Sequence, residues 1–506
     1  MTDLVPMTPQ RILAVPAFAV ALLFLATLAV FWNGIGPIDA SRYIAAALDW
    51  TQKGPSLGDN HWALRLPIVA PIAASFALFG PGEFVSTLPN ILYAAGLVAV
   101  TFHFSRRRLG DAGAIGCAGV IAASSFFVVA QSELSVVGPE IFFEALSCWL
   151  FLDAARANMD MRRLAASGLC AGAAWLCRET AVALPAALGL LLLARRPFSV
   201  KPLLVFGAGF GLIILAELAA YAIVAGDPLY RLKTDFGHRG AGKFYALPPG
   251  APQNEIVARL TLPFRFLLTA PAVTPFVLLS GVLWLAPAFR RAALSPRWRD
   301  ATLVFGTAAG ASFLFSVFGA NLRWPDYYPL LSYAALLSLG AVAAGVYDAG
   351  RRRLGAAIFA SVIALNWTAS DLRAYDELSE PRHLARFALS SGETATTDHT
   401  TALRARLYLR MAGLAPQEAA TRIVSTLGLD HPPCGLVYVA TPRGATRAIA
   451  PTPDWREIWT AEVRRKRWTV GVVTALSPGG SLPPHLKKLF RAAGPVALYE
   501  APPCRP

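Results

Sequence analysis

The sequence predicts a mainly α-helical, polytopic transmembrane bundle of about 11 spans with a small soluble α/β domain at its C-terminus. Three observations carry that prediction. Of the 506 residues 55% are hydrophobic and only 15% are charged, well below the roughly 25% charged fraction of an ordinary soluble domain. Apolar runs of about 17–25 residues recur as far as about residue 370, each long enough for a hydrocarbon core about 30 Å thick. Beyond that point the chain is polar, Arg-rich and Pro-rich, with no run long enough to span. Residues 1–370 therefore read as the bundle, with outer-face loops at 33–82 and 225–263, and residues 371–506 as an extracytoplasmic domain.

The first run, 11–32, is too long for a signal-peptide core and lacks a small-x-small cleavage site before Asn33, so it stays as the first span. Cytoplasmic loops hold the Lys/Arg excess. Five basic clusters bear on this: Arg106 to Arg108, Arg156 with Arg162 and Arg163, Arg195 and Arg196 with Lys201, Arg290 to Arg299, and Arg351 to Arg353. All five fall inside if spans lie near 11–32, 83–104, 112–130, 139–155, 164–178, 180–194, 201–224, 264–288, 301–319, 327–347 and 354–370. With the N-terminus cytoplasmic, that path leaves the C-terminal domain outside. Residues 63–80 carry Arg65, Pro67 and Pro71 and read as an interfacial or partly inserted helix, because one more crossing reverses every later loop. For the same reason 164–196 reads as a hairpin turning at Arg178 and Glu179. The net charge of +15 accompanies nucleic-acid binders, but here the basic residues sit at the ends of apolar runs, where orientation signals belong. The partner this implies is the lipid bilayer, not nucleic acid. Ala-rich, Arg-over-Lys usage suggests a GC-rich bacterium, and hence its inner (plasma) membrane.

This path gathers acids, arginines and aromatics at one membrane surface, and ionisable groups near a bilayer default to a functional hypothesis. Asp39, just after the first span, can act as general base on an acceptor hydroxyl or amine; the ordinary reading is a helix N-cap. Asp49 and Asp59 are weaker candidates in the same loop. Glu140, with Glu133 and Glu144 near it, is either a carboxylate favoured by a helix N-terminus or a second acid facing the cavity of Asp39. Arg323, before Trp324, Pro325, Asp326 and Tyr327, suits a phosphate through fork-shaped hydrogen bonds. Arg178 and Arg65 sit at similar depth, and snorkelling to the headgroups is the alternative for all three. His61 beside Trp62 reads as an aromatic-belt residue. Hard cations prefer oxygen ligands, but the acids are scattered without metal-loop spacing, so no divalent metal is firmly implied. No Walker loop or dinucleotide fingerprint is present.

Cys117, Cys148, Cys170 and Cys177 lie in spans and read as small packing residues. Cys434 and Cys504 fall in the outside domain, where a disulfide is chemically allowed. That domain shows strand-like runs at 435–440, 468–475 and 496–499 and helical stretches near 400–412 and 484–493. Thr397, Asp398, His399 and Thr400 read as a strand end followed by an N-cap rather than a catalytic group.

Over about residues 10–370 the chain resembles the polytopic GT-C-type membrane glycosyltransferases, the superfamily of the protein O-mannosyltransferases and the lipid A aminoarabinose transferase. The order of elements carries the resemblance: Asp39; Asp59-Asn60-His61-Trp62 leading to Arg65-Leu66-Pro67; Leu78-Phe79-Gly80 with Glu83; Pro139-Glu140-Ile141-Phe142-Phe143; Gly172 through Trp175-Leu176-Cys177-Arg178-Glu179; and Arg323 with Tyr327 and Pro329. The resemblance implies transfer of a sugar from a polyprenyl-phosphate carrier to an extracytoplasmic acceptor, such as an envelope glycan, lipid A or its core, a lipid or a protein. It implies Asp39 and Glu140 as the catalytic acids, Arg323, Arg178 and Arg65 as phosphate ligands, and His61, Asp59, Glu179 and Tyr327 as cavity residues. Three features depart from the pattern: Ala40 where many relatives carry a second acid, Ser86-Thr87-Leu88-Pro89 without the Arg that many place before Leu-Pro, and Glu140 for the usual Asp. The alternatives are a flippase or transporter of a lipid-linked glycan and a surface-polysaccharide polymerase or ligase. No inverted repeat favours transport.

Overall fold

The computed structural model describes residues 9–32, 34–36, 38–58, 60–195, 197–239, 255–270, 272–287, 290, 298–320, 322, 324–373, 379–427, 433–439, 449, 451–461 and 496–502. Within them the chain divides into two compact units. One comprises residues 1–32, 57–70 and 89–370; the other comprises 33–56, 71–88 and 371–506.

Helices stand where apolar runs dictate them. In order they are α1 (Pro9–Phe31), α2 (Ile38–Lys53), α3 (Leu66–Phe79), α4 (Glu83–Ala122), α5 (Val137–Arg156), α6 (Met161–Cys177), α7 (Ala183–Ala194) and α8 (Val200–Ala225). They continue with α9 (Tyr230–Arg239), α10 (Glu255–Thr269), α11 (Thr274–Leu285), α12 (Arg299–Leu314), α13 (Pro329–Asp348) and α14 (Arg352–Arg373). Among the described residues five helical stretches are long and apolar enough to cross a membrane: Glu83–Ala122, Val200–Ala225, Arg299–Gly319, Pro329–Asp348 and Arg352–Asp371. This is the pattern of a multi-pass membrane protein.

The break expected between 104 and 112 falls at Gly110, where two helices meet at a kink and the φ of 74° is one that only glycine adopts without strain. Two expectations need correcting. The run 264–288 is not one straight helix, because Pro263–Thr269 and Thr274–Leu285 meet at 101°. Asp39 is not the residue before its helix, since α2 begins at Ile38 and Asp39 stands in the first turn.

In the first unit a fully buried Trp149 anchors the core. Phe104 stacks on it at 5.4 Å, Phe305 meets it edge-on at 4.9 Å, and its Nε1 donates to Tyr333 at 3.0 Å. Glycines let helices touch. A Cβ on Gly340 of α13 meets the Gly116 carbonyl of α4 at 2.5 Å, and the reverse approach is equally close. Gly168 of α6 and Gly209 of α8 face each other's helices in the same way, the small-residue packing expected where lipid supplies no hydrophobic drive. Gly340→Leu is therefore expected to force α4 and α13 apart, at about 1–3 kcal/mol. Thermal unfolding of the purified variant checks this, and an unchanged midpoint contradicts the close crossing.

The two ends of α5 carry opposite chemistry. Near its C-terminus Asp153 collects Arg107 at 2.7 Å, Arg108 at 3.2 Å and Arg163 at 3.7 Å. Near its N-terminus stands Glu140. Thirteen residues of helix separate the two acids by about 20 Å.

The second unit contains α2, α15 (Ser379–Ser391), α16 (His399–Met411) and α17 (Pro416–Arg422). Its strands are β1 (Ala395–Thr397), β2 (Ile423–Ser425), β3 (Leu436–Val439), β4 (Arg456–Ala461) and β5 (Val496–Glu500), in the order β2-β1-β3-β5-β4. β1 runs parallel to β2 and β3, with Ala395 opposite Ile423 and Leu436; β5 is antiparallel to β3 and β4. The expected strands at 435–440 and 496–499 are present, while 468–475 and 484–493 lie outside the described residues. Asp398 accepts from Thr401 N at 3.0 Å, the N-cap its position after a strand suggests. Glu83 Oε1 accepts from Ile35 N at 3.1 Å and Tyr408 OH at 2.8 Å and pairs with Arg382. Arg410 pairs with Asp49 at 2.9 Å. Cys434 is disulfide-bonded, the four earlier cysteines are free, and Cys504 lies outside the described residues.

Candidate functional site

Two buried ion-pair clusters, built from α5, α6, α8 and α9, meet around the end of α6. The helix stops at Cys177. Arg178 is extended (φ −159°, ψ 139°), and a 3-10 turn, Glu179–Val182, starts the next element. Arg178 and Glu140 are 2.9 Å apart, with side chains 7% and 1% exposed. Arg178 Nη1 also donates to the Asp326 carbonyl, and its guanidinium lies 4.8 Å from the Tyr327 ring centroid. Arg178 Nε is buried and has no hydrogen-bond partner among the described residues, and the same holds for Glu144 Oε2. An orphaned charged donor is costly and calls for an acceptor. Glu144, one turn along α5, is also fully buried.

The second cluster centres on Arg231 of α9. It pairs with Glu217 of α8 at 2.7 Å and with Glu179 at 3.2 Å. Trp175 Nε1 donates to Glu217 at 3.0 Å. Asp235, one turn beyond Arg231, is buried, and its carboxyl lies within hydrogen-bonding reach of Glu179. Burial and the neighbouring Glu179 push Asp235 up to about 8. Burial alone would raise Glu179, but the bond with Asp235 and the charges of Arg231 and Arg65 hold it down to about 2. Arg65, at the start of α3, is thus within electrostatic range of both acids. His61 is buried with its ring 3.7 Å from that of Trp62. Tyr221 and Tyr230 donate to the carbonyls of Leu64 and Gly58, each at 3.2 Å, tying that stretch to α8 and α9.

Of the residues singled out in the sequence, the structure brings Glu140, Arg178, Glu179 and Tyr327 together, with Arg65 in electrostatic range. Asp39 is exposed, in the second unit. Arg323 and Asp59 lie outside the described residues, as do Gly240 and Gly242 of the 225–263 loop. Glu217, Arg231 and Asp235 were not singled out. Glu217 is the one acid among the 26 mostly apolar residues of α8, which is itself a signal. Arg231 and Asp235 share a helical face at i, i+4.

Residues 65–221 match the family described as Dolichyl-phosphate-mannose-protein mannosyltransferase. The match begins at Arg65 and contains Glu140, Arg178, Glu179 and Glu217. ArnT from Cupriavidus metallidurans, solved bound to undecaprenyl phosphate, superposes with a TM-score of 0.50 at 15% identity, over 97% of this chain and 98% of that one. The chain has a GT-C fold. The apo form of the same protein matches with a TM-score of 0.48 at 16% identity, over 81% of this chain and 90% of that one. The Archaeoglobus fulgidus oligosaccharyltransferase AglB, in complex with an inhibitory peptide and a dolichol-phosphate, matches with a TM-score of 0.44 at 12% identity, over 81% and 64%. No curated protein matches at a significant level.

Proposed function

We propose that the protein is a membrane glycosyltransferase that moves a sugar from a polyprenyl-phosphate carrier to an acceptor outside the bacterial inner membrane. The observation that carries this reading is the buried Arg178 Nε without an acceptor, beside Glu140 and Tyr327. A guanidinium held through Nη1 and left unpaired at Nε suits a phosphate oxygen. The GT-C fold and the family match from residue 65 support the same class of donor. Arg178, Arg65 and Arg323 are the phosphate ligands in this reading, and Glu140 orients Arg178. Tyr327, His61, Asp59 and Glu179 belong to the cavity.

The reaction is an inverting single displacement. The acceptor oxygen or nitrogen bonds to the anomeric carbon as the bond from that carbon to the phosphate oxygen breaks. The acceptor proton passes to the Asp39 carboxylate. The electron pair leaves with the polyprenyl phosphate, whose charge the arginines stabilise. The reading includes eleven crossings with the N-terminus cytoplasmic and residues 371–506 outside. The separation of the Asp153 arginine cluster from Glu140 along α5 supports opposite sidedness for those two ends.

Mass spectrometry of envelope glycans and lipids in the native host tests this, comparing a strain lacking the gene with one in which it is restored. Loss of one monosaccharide from a defined acceptor in the deletion is the expected result. A lipid-linked glycan trapped on the cytoplasmic side would instead establish a flippase.

A further inference from the structure

We propose that Arg231 and Asp235 of α9 are positioning residues that fix the backbone break carrying Arg178, closing over Glu217 and Glu179 with one proton retained between Asp235 and Glu179. The proposal rests on the reading of Arg178 as a phosphate ligand and extends it by naming what holds that side chain in place.

The Arg231 guanidinium is 2% exposed. Beyond its two carboxylates, Nη1 donates to the carbonyls of Trp175 at 3.2 Å and Leu176 at 3.3 Å, and Nη2 donates to Trp175 at 3.3 Å. Those carbonyls belong to the last turn of α6, where a helix leaves acceptors without intrahelical partners. The same guanidinium lies 5.3 Å from the Trp175 ring centroid. Arg231 therefore grips the chain on both sides of Arg178, at 175–176 and at 179. Turning Arg178 away from Glu140 means breaking that grip.

Charge balance and an orphaned oxygen both call for the proton. The groups facing Asp235 are Glu179 from the 3-10 turn, Glu217 and Tyr221 from α8, Arg231 and Tyr230 from α9, and Arg65 from α3. Three carboxyl groups thus meet two guanidiniums, and one retained proton makes the cluster neutral. Asp235 Oδ2 is buried without a hydrogen-bond partner, while Glu179 Oε1 is met by Arg231 Nη1 at 3.2 Å. A proton held by Asp235 satisfies that oxygen, because a protonated carboxyl donates and the Glu179 carboxylate accepts. The environment agrees, with Asp235 raised to about 8 and Glu179 lowered to about 2. Undocked, both acids return to ordinary values of about 4 and hold no proton at neutral pH. Docking of α9 therefore takes up one proton between about pH 5 and pH 8. It weakens about tenfold per pH unit across that window and levels off above it.

The test uses the full-length protein in nanodiscs. Hydrogen exchange of residues 230–239, corrected for intrinsic rates, is measured at pH 6 and pH 8, and undecaprenyl monophosphate binding is measured on the same samples. Wild-type protection is expected to fall about fiftyfold between the two pH values. In Asp235→Asn, whose amide stands in for the protonated acid, it should stay level. Wild-type protection that does not change with pH overturns the shared proton. For the positioning role, Arg231→Gln and Arg231→Lys are both expected to weaken carrier binding about tenfold or more, since neither keeps the fork that holds two carbonyls. If Arg178→Gln weakens binding and Arg231→Gln does not, the positioning role is overturned. If neither matters, the phosphate reading of Arg178 has failed instead.

Discussion

Replacing Asp39 with Asn is expected to lower sugar transfer by about a hundredfold to ten-thousandfold, the usual contribution of a positioned general base, while carrier binding stays at the wild-type level. The substitution keeps the size of the side chain and removes only the group that takes a proton. Its effect on folding is expected to be small, because Asp39 is exposed and α2 is held by its other face, where Tyr43, Ile44, Ala47 and Leu48 are buried. Loss of the favourable interaction with the helix N-terminus costs about 0.3–1 kcal/mol, too little to mimic a catalytic defect. The check is restoration of a deletion strain with Asp39→Asn at matched expression, read by mass spectrometry of the acceptor. A wild-type acceptor pattern removes Asp39 from the mechanism.

Hydropathy and charge made most of the bundle legible. The turn at Arg178 was readable because an unbroken helix from 164 to 196 conflicts with the basic loops that follow. The structure breaks there too, with Arg178 in extended backbone. What sequence could not show is which charges pair. Glu140 and Arg178 are far apart in the chain and looked like two free groups, yet they share one buried contact. Arg231 was passed over because it lies in a polar loop, where an arginine attracts no attention. Its significance comes from tertiary partners on α6 and α8, which no local pattern encodes. Short strands were hidden for a related reason. β1 and β2 span three residues each, too few for an alternating pattern to register. The bend between α10 and α11 was missed because hydropathy measures apolar length and says nothing about direction.

The largest expected effect on stability falls on the Glu140–Arg178 pair, and a double substitution separates its structural role from its binding role. Arg178→Ala leaves Glu140 as an uncompensated buried charge, and Glu140→Gln leaves Arg178 as one. Each is expected to cost about 3–5 kcal/mol, as when one partner of a buried pair is removed. Exposures of 7% and 1% leave little solvent to screen the contact. Replacing both, as Arg178→Met with Glu140→Leu, removes the charges together and should recover most of the stability, because an apolar pair of similar volume avoids desolvation altogether. Undecaprenyl phosphate binding should not recover, since the unpaired Nε is gone. Thermal unfolding and carrier binding, measured on the same three variants, give the decision. If binding returns along with stability in the double variant, the pair only holds the fold together and the phosphate must be met elsewhere. If stability returns and binding does not, the buried arginine is kept for its ligand, since the fold can do without its charge.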